Sequence, residues 1–212
     1  MPAEARQSVD AAARVVVTEG KEGRVAQRWV AFLRGINVGK AKRVGMADLR
    51  TVVETLGYTE VQTVLATGNI VFTSEKATTD PGARIEREIE ARLGLRSAVV
   101  ALPQADFDRV LRANKLLAPG RDPARLMVGV VRGPVAMAAL SRLAREPWAA
   151  EELVCGKGAG YLWCPDGLAD SPLVAAVNKA LRDDVTMRNW NTMQKIQAAL
   201  SGAAAPRGTG RR

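Results

Sequence analysis

The chain of 212 residues is 47% hydrophobic and 25% charged, and its 31 Lys and Arg outnumber its 22 Asp and Glu to give a net charge of +9. This length supports one large or two small buried cores, while charged residues interrupt every apolar run before the ~20 residues that a membrane helix needs. The chain contains no histidine, which excludes the commonest general base, the commonest metal ligand and the catalytic triads built on imidazole.

In chain order, the first hundred residues predict a strand, a helix, two strands, a helix and a strand. Apolar residues at helical spacing follow the first strand and end at Gly57, and a turn at 67–69 joins the next two strands. Pro81 opens the second helix and Gly94 ends it. The predicted segments are strand 29–34, helix 46–56, strands 61–66 and 70–73, helix 81–93 and strand 97–102.

After a linking helix the same order of elements begins again. The sequence "FLRGIN" is echoed by "VVRGPV", and "TGNIVF" is echoed by "GAGYLW". Asn191 and Gln194 are expected to form a capping pair that opens the last helix. The predicted segments are strand 126–131, helix 135–143, strands 153–155 and 161–164 around a turn at 156–160, helix 173–181, strand 185–188 and a final helix that ends near residue 200.

Two βαββαβ units predict an α+β protein with tandem ferredoxin-like halves, each an antiparallel sheet with helices on one face. The expected first half is 26–102 and the expected second half is 125–201, with a linking helix within 103–124. Residues 1–25 and 202–212 are rich in Ala, Gly and Arg, and we expect them to be disordered extensions.

One edge of the first predicted sheet is the leading candidate site. In this topology the first strand runs antiparallel beside the third, so Arg34, Gly35 and Asn37 are expected to meet Gly68 and Asn69. The first helix begins at the same edge and brings free N–H groups and the positive end of its dipole. This combination of groups predicts an anion-binding site.

The loop that follows the first strand fits neither a P-loop nor a dinucleotide fingerprint. The functional interpretation is that an anion or nucleotide is bound by Arg34, Asn37, Gly39, Lys40, Lys42 and Arg43. The alternative is a tight turn in which the two glycines supply positive φ, Asn37 bonds its own backbone and the basic side chains are solvated. Asn69 has two interpretations as well, since its amide can contact a ligand or hold two loops together.

A second candidate is the segment "TMRNWNTM" at 186–193, which is predicted to turn into the last helix. Asn191 is expected to cap that helix. Arg188, Asn189 and Trp190 join the candidate binding residues. For Arg188 the alternative is an ion pair with a nearby aspartate, and for Trp190 it is a place in the core.

The stretches "VAFLRGINVG", "LATGNIVF" and "TMRNWNTMQKI", in this order, resemble a widespread bacterial family of uncharacterised proteins, domain of unknown function family 1697. The resemblance runs from about Trp29 to Leu200, and its motifs fall on the candidate residues above. It implies two ferredoxin-like halves and no established activity, so it assigns no catalytic residue. The chain departs from the family pattern at Lys40-Ala41, at Thr67 and at 167–172, where an aspartate and a proline argue against a phosphate site.

The leading hypothesis is a cytoplasmic protein that binds a phosphorylated small molecule, a nucleotide or a nucleic acid at the Gly/Arg/Asn-lined sheet edge. The modest basic excess favours an anionic partner. No metal or cofactor is expected, because Cys155 and Cys164 cannot complete a zinc site without imidazole. Two alternatives remain open: a histidine-independent transferase or hydrolase for an anionic substrate, and an interaction module that docks a partner or forms an oligomer.

Overall fold

A computed structural model describes residues 26–37 and 43–202. The extension expected at 1–25 lies outside the described residues, as does the tail beyond residue 202. The short segment 38–42 also lies outside them. Within the described residues no helix is long and apolar enough to cross a membrane.

The elements follow the predicted order closely. The first half contains β1 (Gln27–Leu33), α1 (Met46–Thr55), β2 (Thr59–Val64), β3 (Asn69–Ser74), α2 (Pro81–Leu93) and β4 (Val99–Pro103). The linking helix is α3 (Gln104–Arg112). The second half contains β5 (Leu126–Val131), α4 (Gly133–Leu143), β6 (Glu152–Cys155), β7 (Ala159–Trp163), α5 (Pro172–Leu181), a 3-10 turn (Arg182–Asp184), β8 (Val185–Asn189) and α6 (Trp190–Leu200).

The eight strands form two antiparallel sheets with the same topology. The strand order is β2-β3-β1-β4 in the first sheet and β6-β7-β5-β8 in the second. The first and third strands of each half are neighbours in the middle of their sheet, as a βαββαβ unit requires. The prediction of an α+β fold with tandem ferredoxin-like halves is confirmed.

Three apolar clusters hold the layers together. The helices α1 and α2 pack on one face of the first sheet, with Leu49 and Ile85 fully buried, and α4 and α5 pack in the same way on the second sheet. The remaining faces of both sheets share a central cluster with α3 and α6, which includes Phe32, Tyr161 and Trp190. The two halves therefore bury a common core.

The start of α6 corrects one sequence expectation. The helix begins at Trp190, and the N-cap is Asn189, whose Oδ1 accepts a hydrogen bond from the backbone N–H of Thr192 at 3.0 Å. The predicted cap, Asn191, lies inside the first turn of the helix. The prediction was wrong by two residues because β8 runs directly into the helix without an intervening loop.

The structure also corrects the expected alignment of "TGNIVF" in the first half with "GAGYLW" in the second half. The backbone N–H of Leu33 donates to the carbonyl of Gly68 at 2.8 Å, and the equivalent bond in the second half joins Val131 to Gly158 at 3.2 Å. Gly68 and Gly158 are therefore equivalent, which places the echo of "TGNIVF" one residue earlier in the second half. The echo of "FLRGIN" by "VVRGPV" is in register, because Leu33 and Val131 are equivalent.

Candidate functional site

The end of β1 and the turn before β3 lie side by side, as the topology predicted. Phe32 is the cross-strand partner of Asn69. The backbone N–H of the next residue, Leu33, donates a hydrogen bond to the carbonyl of Gly68. Gly35 follows with a φ of 66°, a conformation that favours glycine. The two distant turns therefore meet at one sheet edge.

The amide of Asn37 joins parts of its own loop and the neighbouring turn. Its Oδ1 accepts from the backbone N–H of Val44 at 2.8 Å, and its Nδ2 donates to the carbonyls of Val44 at 3.1 Å and Ala66 at 2.9 Å. These bonds tie the loop after β1 to the turn before β3, whereas the expected alternative to ligand binding was a bond from Asn37 to its own backbone. The predicted binding residues Gly39, Lys40 and Lys42 lie outside the described residues, and Arg43 is exposed.

Asn69 is fully buried and faces away from solvent. Its Nδ2 donates to the carbonyl of Val64 at 2.9 Å and to Oγ1 of Thr67 at 3.1 Å, so the amide closes the turn between β2 and β3. Its Oδ1 accepts from Nε of Arg188 at 2.6 Å. Asn69 thus supports Arg188, and its amide is hydrogen-bonded within the fold.

Arg34 turns toward the second half of the protein. Its Nη1 donates to the carbonyl of Val185 at 2.7 Å and its Nη2 donates to Oδ1 of Asn178 at 3.0 Å. Its Nε also lies 3.5 Å from Oδ1 of Asp183, a carboxylate that is largely exposed. These contacts direct the donors of Arg34 to the interface between the halves, and its role as an anion ligand stays a prediction.

Arg132, the equivalent of Arg34 in the second half, makes the reciprocal contact. Its Nη2 donates to Oε2 of Glu86 at 2.8 Å and to the carbonyl of Val99 at 2.7 Å. Each half therefore uses the arginine after its first strand to bind the first residue of the other half's last strand. This symmetry explains the repeated Arg-Gly pair that the sequence echo showed.

The space between these two arginines is a cavity of about 460 Å³. Its charged lining consists of three cations and three carboxylates, which pair with one another: Arg34 with Asp183, Arg132 with Glu86 and Arg96 with Glu90. The charges balance, so this cavity provides no net attraction for an anion.

Arg188 donates hydrogen bonds to residues of both halves. Its five N–H groups all have oxygen acceptors, and every acceptor is electrically neutral. These acceptors are Oδ1 of Asn69 at 2.6 Å, Oγ1 of Thr186 at 3.0 Å, and the carbonyls of Met187 at 2.8 Å, Leu33 at 2.7 Å, Thr67 at 3.1 Å and Gly68 at 3.5 Å. Arg188 therefore holds β8 against the end of β1 and the turn before β3.

The charge of Arg188 is not balanced by a neighbouring acid. It makes no ion pair with any carboxylate of the described residues. Burial lowers its pKa to about 10, and the positive charge of Arg34 is the second cause. The guanidinium lies 5.8 Å from the ring centre of Phe32, a contact that offsets part of the desolvation. At neutral pH the site therefore carries a partly buried positive charge that has no carboxylate partner among the described residues.

A recess of about 260 Å³ opens beside this charge, and we call it the Arg188 pocket. Its lining contains both polar and apolar residues. The polar lining is Gly35, Thr67, Arg188, Asn189 and Thr192. The apolar lining is Leu33, Ile36, Met127, Leu168 and Met187.

Asn189 offers the pocket a donor that the fold does not use. Its Oδ1 accepts from both the N–H of Thr192 at 3.0 Å and its Oγ1 at 2.8 Å. Its Nδ2 has no acceptor among the described residues, although Asn189 lines the pocket. The side chain thus caps α6 with one atom and leaves the other available to a ligand.

Burial and charge bear on two further predictions about the site. Trp190 is 7% exposed and packs in the central cluster, so it is a core residue and not a stacking surface for a ligand. The start of α1 carries Asp48 in its first turn and contributes no residue to the Arg188 pocket. The carboxylate of Asp48 occupies the end of the helix dipole that was expected to attract an anion.

Sequence reasoning missed the apolar wall of the pocket. Met127 and Asn189 are direct cross-strand partners on β5 and β8, and Met187 lies two residues before Asn189. Alternation along β8 could have placed Met187 and Asn189 on one face. Leu168 comes from the loop between β7 and α5, and no local pattern indicates that this loop reaches the pocket.

Comparison with known proteins agrees with this fold. The conserved bacterial protein SP0830 from Streptococcus pneumoniae is similar in structure, with a TM-score of 0.64 and 24% sequence identity over 82% of this chain and 99% of that chain. At this identity the likeness concerns the fold alone. None of the curated proteins matches the chain. A family model described as "Protein of unknown function (DUF1697)" matches residues 26–161, more than half of the chain. The chain therefore belongs to the DUF1697 family.

Proposed function

We propose that this protein binds a small phosphorylated molecule in the Arg188 pocket, as a cytoplasmic ligand-binding protein. The observation that carries the proposal is the partly buried guanidinium of Arg188, which is charged at neutral pH and has no carboxylate partner among the described residues. An anion in the recess would supply the missing negative charge in surroundings of low dielectric constant, where a charge pair is worth most.

The hydrogen bonds to the anion have to come from other groups. All five donors of Arg188 already have acceptors, so its contribution is its charge. Nδ2 of Asn189 has no acceptor among the described residues, and Asn189 and Thr67 both line the recess. A charge fixed by one residue and hydrogen bonds given by its neighbours are the elements of a small-anion site.

The size of the recess favours a small molecule over a polymer. Its volume of about 260 Å³ is close to the lower limit of small-molecule pockets. Nucleic-acid binding depends on an extended row of basic side chains along the phosphate backbone, whereas Arg188 is the only cationic side chain of the described residues that lines this recess.

A thermal-unfolding assay with a defined panel tests the proposal. We expect inorganic phosphate, ribose 5-phosphate, AMP and UMP to raise the melting temperature in a saturable way, with adenosine and acetate as controls. At a ligand concentration of 100 Kd the stabilisation is about 2.7 kcal/mol, which corresponds to a rise of roughly 5–10 °C for a chain of this size.

The variant Asn189→Asp tests the role of the Asn189 side chain. Asp retains the capping oxygen for α6, so the helix start is preserved. It replaces the amide donor with a carboxylate at a residue that lines the same recess as Arg188. We expect this variant to be at least as stable as the wild type and to lose the response to phosphates.

Three outcomes would contradict the proposal. They are no melting shift with any phosphate in the panel, equal shifts in the wild type and Asn189→Asp, and binding of RNA or DNA with a log-log salt dependence but no binding of mononucleotides. Release of inorganic phosphate from a bound ester, with Asn189→Asp inactive, would support the site and add the enzymatic alternative to it.

A further inference from the structure

The apolar lining of the Arg188 pocket indicates which chemical group carries the phosphate of the ligand. Met127, Leu168 and Met187 come from β5, from the loop after β7 and from β8, and all three are only partly buried against the apolar cluster beneath them. Each therefore leaves part of its surface facing the recess. No carboxylate or lysine of the described residues lines the pocket.

From this geometry we infer that the ligand is a nucleotide, with its base against Met127, Leu168 and Met187 and its phosphate toward Arg188 and Asn189. The inference rests on the proposed function, because it divides one pocket between two parts of one ligand. A nucleobase is flat and uncharged, and both of its faces can cover apolar side chains.

Methionine at two of the three positions favours an aromatic ring over an alkyl group. The thioether is polarizable and makes favourable contacts with aromatic rings, and its three rotatable bonds let it fit a flat surface. The volume of about 260 Å³ suits one ring system with its attached phosphate end. The geometry thus points to a mononucleotide or to the end of a larger nucleotide.

The distribution of groups around the recess gives the orientation. Met127 lies opposite Asn189 across β5 and β8, so the base wall and the free amide donor are adjacent. Thr67 and Gly35 lie on the side contributed by the first half. The base therefore rests on the second half, and the phosphate lies where the two halves meet.

Calorimetric titration with four probes tests the inference: AMP, UMP, ribose 5-phosphate and n-butyl phosphate. We expect both nucleotides to bind at least about tenfold more tightly than ribose 5-phosphate, since one stacked base commonly contributes that much. Butyl phosphate, which is apolar but not flat, should fall between them.

The variant Leu168→Ala separates the base wall from the phosphate end. We expect about a fivefold loss in AMP affinity, from the lost apolar contact, and an unchanged affinity for ribose 5-phosphate. The matched control is Val135→Ala on α4, where the side chain is 82% exposed and outside the pocket, and this variant should leave both affinities unchanged.

The outcomes distinguish the two proposals. Equal affinities for AMP and ribose 5-phosphate, or butyl phosphate binding as tightly as AMP, would overturn the nucleotide inference and leave the phosphate site intact. An equal loss for both probes in Leu168→Ala would also overturn it, because the loop would then support the whole pocket. If no probe binds the wild type, both proposals fail together.

Discussion

Replacing Arg188 with methionine removes the guanidinium from the junction of the two halves and keeps most of the aliphatic stem. Two deeply buried acceptors, Oδ1 of Asn69 and the carbonyl of Leu33, lose their hydrogen bonds to it. An unsatisfied buried acceptor costs about 1–3 kcal/mol, and removal of a desolvated charge returns part of that loss. We therefore expect Arg188→Met to lower the free energy of unfolding by about 2–4 kcal/mol.

Chemical unfolding in urea measures this loss, with a corresponding fall in melting temperature of roughly 5–15 °C for a chain of this size. The matched control is Arg132→Met, which removes a guanidinium that also crosses between the halves. Arg132 makes two hydrogen bonds, to Glu86 and Val99, and its side chain is 42% exposed. We expect that variant to lose only about 1 kcal/mol.

Both variants should unfold in a single transition, because the halves share the central cluster that includes Phe32. A change of less than about 0.5 kcal/mol in Arg188→Met would refute the argument that Arg188 joins the halves. An equal loss in Arg132→Met would show that burial does not distinguish the two arginines.

Three further predictions concern turns, caps and pH. Gly68→Ala should lower the melting temperature far more than Gly158→Ala: both glycines have positive φ, but a Cβ at Gly68 would lie 2.8 Å from a neighbouring side chain and one at Gly158 would meet nothing within 4 Å. Asn189→Ala should lower the free energy of unfolding in urea by about 1 kcal/mol, whereas Asn191→Ala should leave it nearly unchanged. A larger loss in Asn191→Ala than in Asn189→Ala would instead support Asn191 as the cap of the last helix. Burial raises the pKa of Tyr161 to about 12. Because the unfolded phenol ionises near pH 10, stability should fall as the pH rises from about 10 to 12, and Tyr161→Phe should show a shallower decline over that range.

The elements of the fold could be predicted because local signals agree with the tertiary structure. The helix α2 begins after Asp80, whose carboxylate accepts from the N–H of Ala83, and it ends at Gly94 with a φ of 61°. Both ends follow from cap residues that are visible in the sequence. The order of strands and helices is compatible with only a few sheet topologies. In the βαββαβ topology the end of β1 lies beside the turn before β3, so this contact could be predicted as well.

The direction of individual side chains could not be predicted in the same way. Arg34 reaches an acid and an amide on the other half, while Arg188 reaches neutral acceptors only. That difference depends on how the two halves pack, which no local pattern encodes. The pocket wall from Leu168 depends on the path of a loop, and it was missed for the same reason.

The most direct test of anion binding at Arg188 is calorimetric titration of AMP into the wild type and into Asn189→Asp under identical low-salt conditions. We predict saturable binding of one AMP per chain in the wild type, and an affinity at least about tenfold weaker in Asn189→Asp without any loss of stability. Affinities within twofold of each other, or no heat of binding in the wild type, would contradict the proposed site.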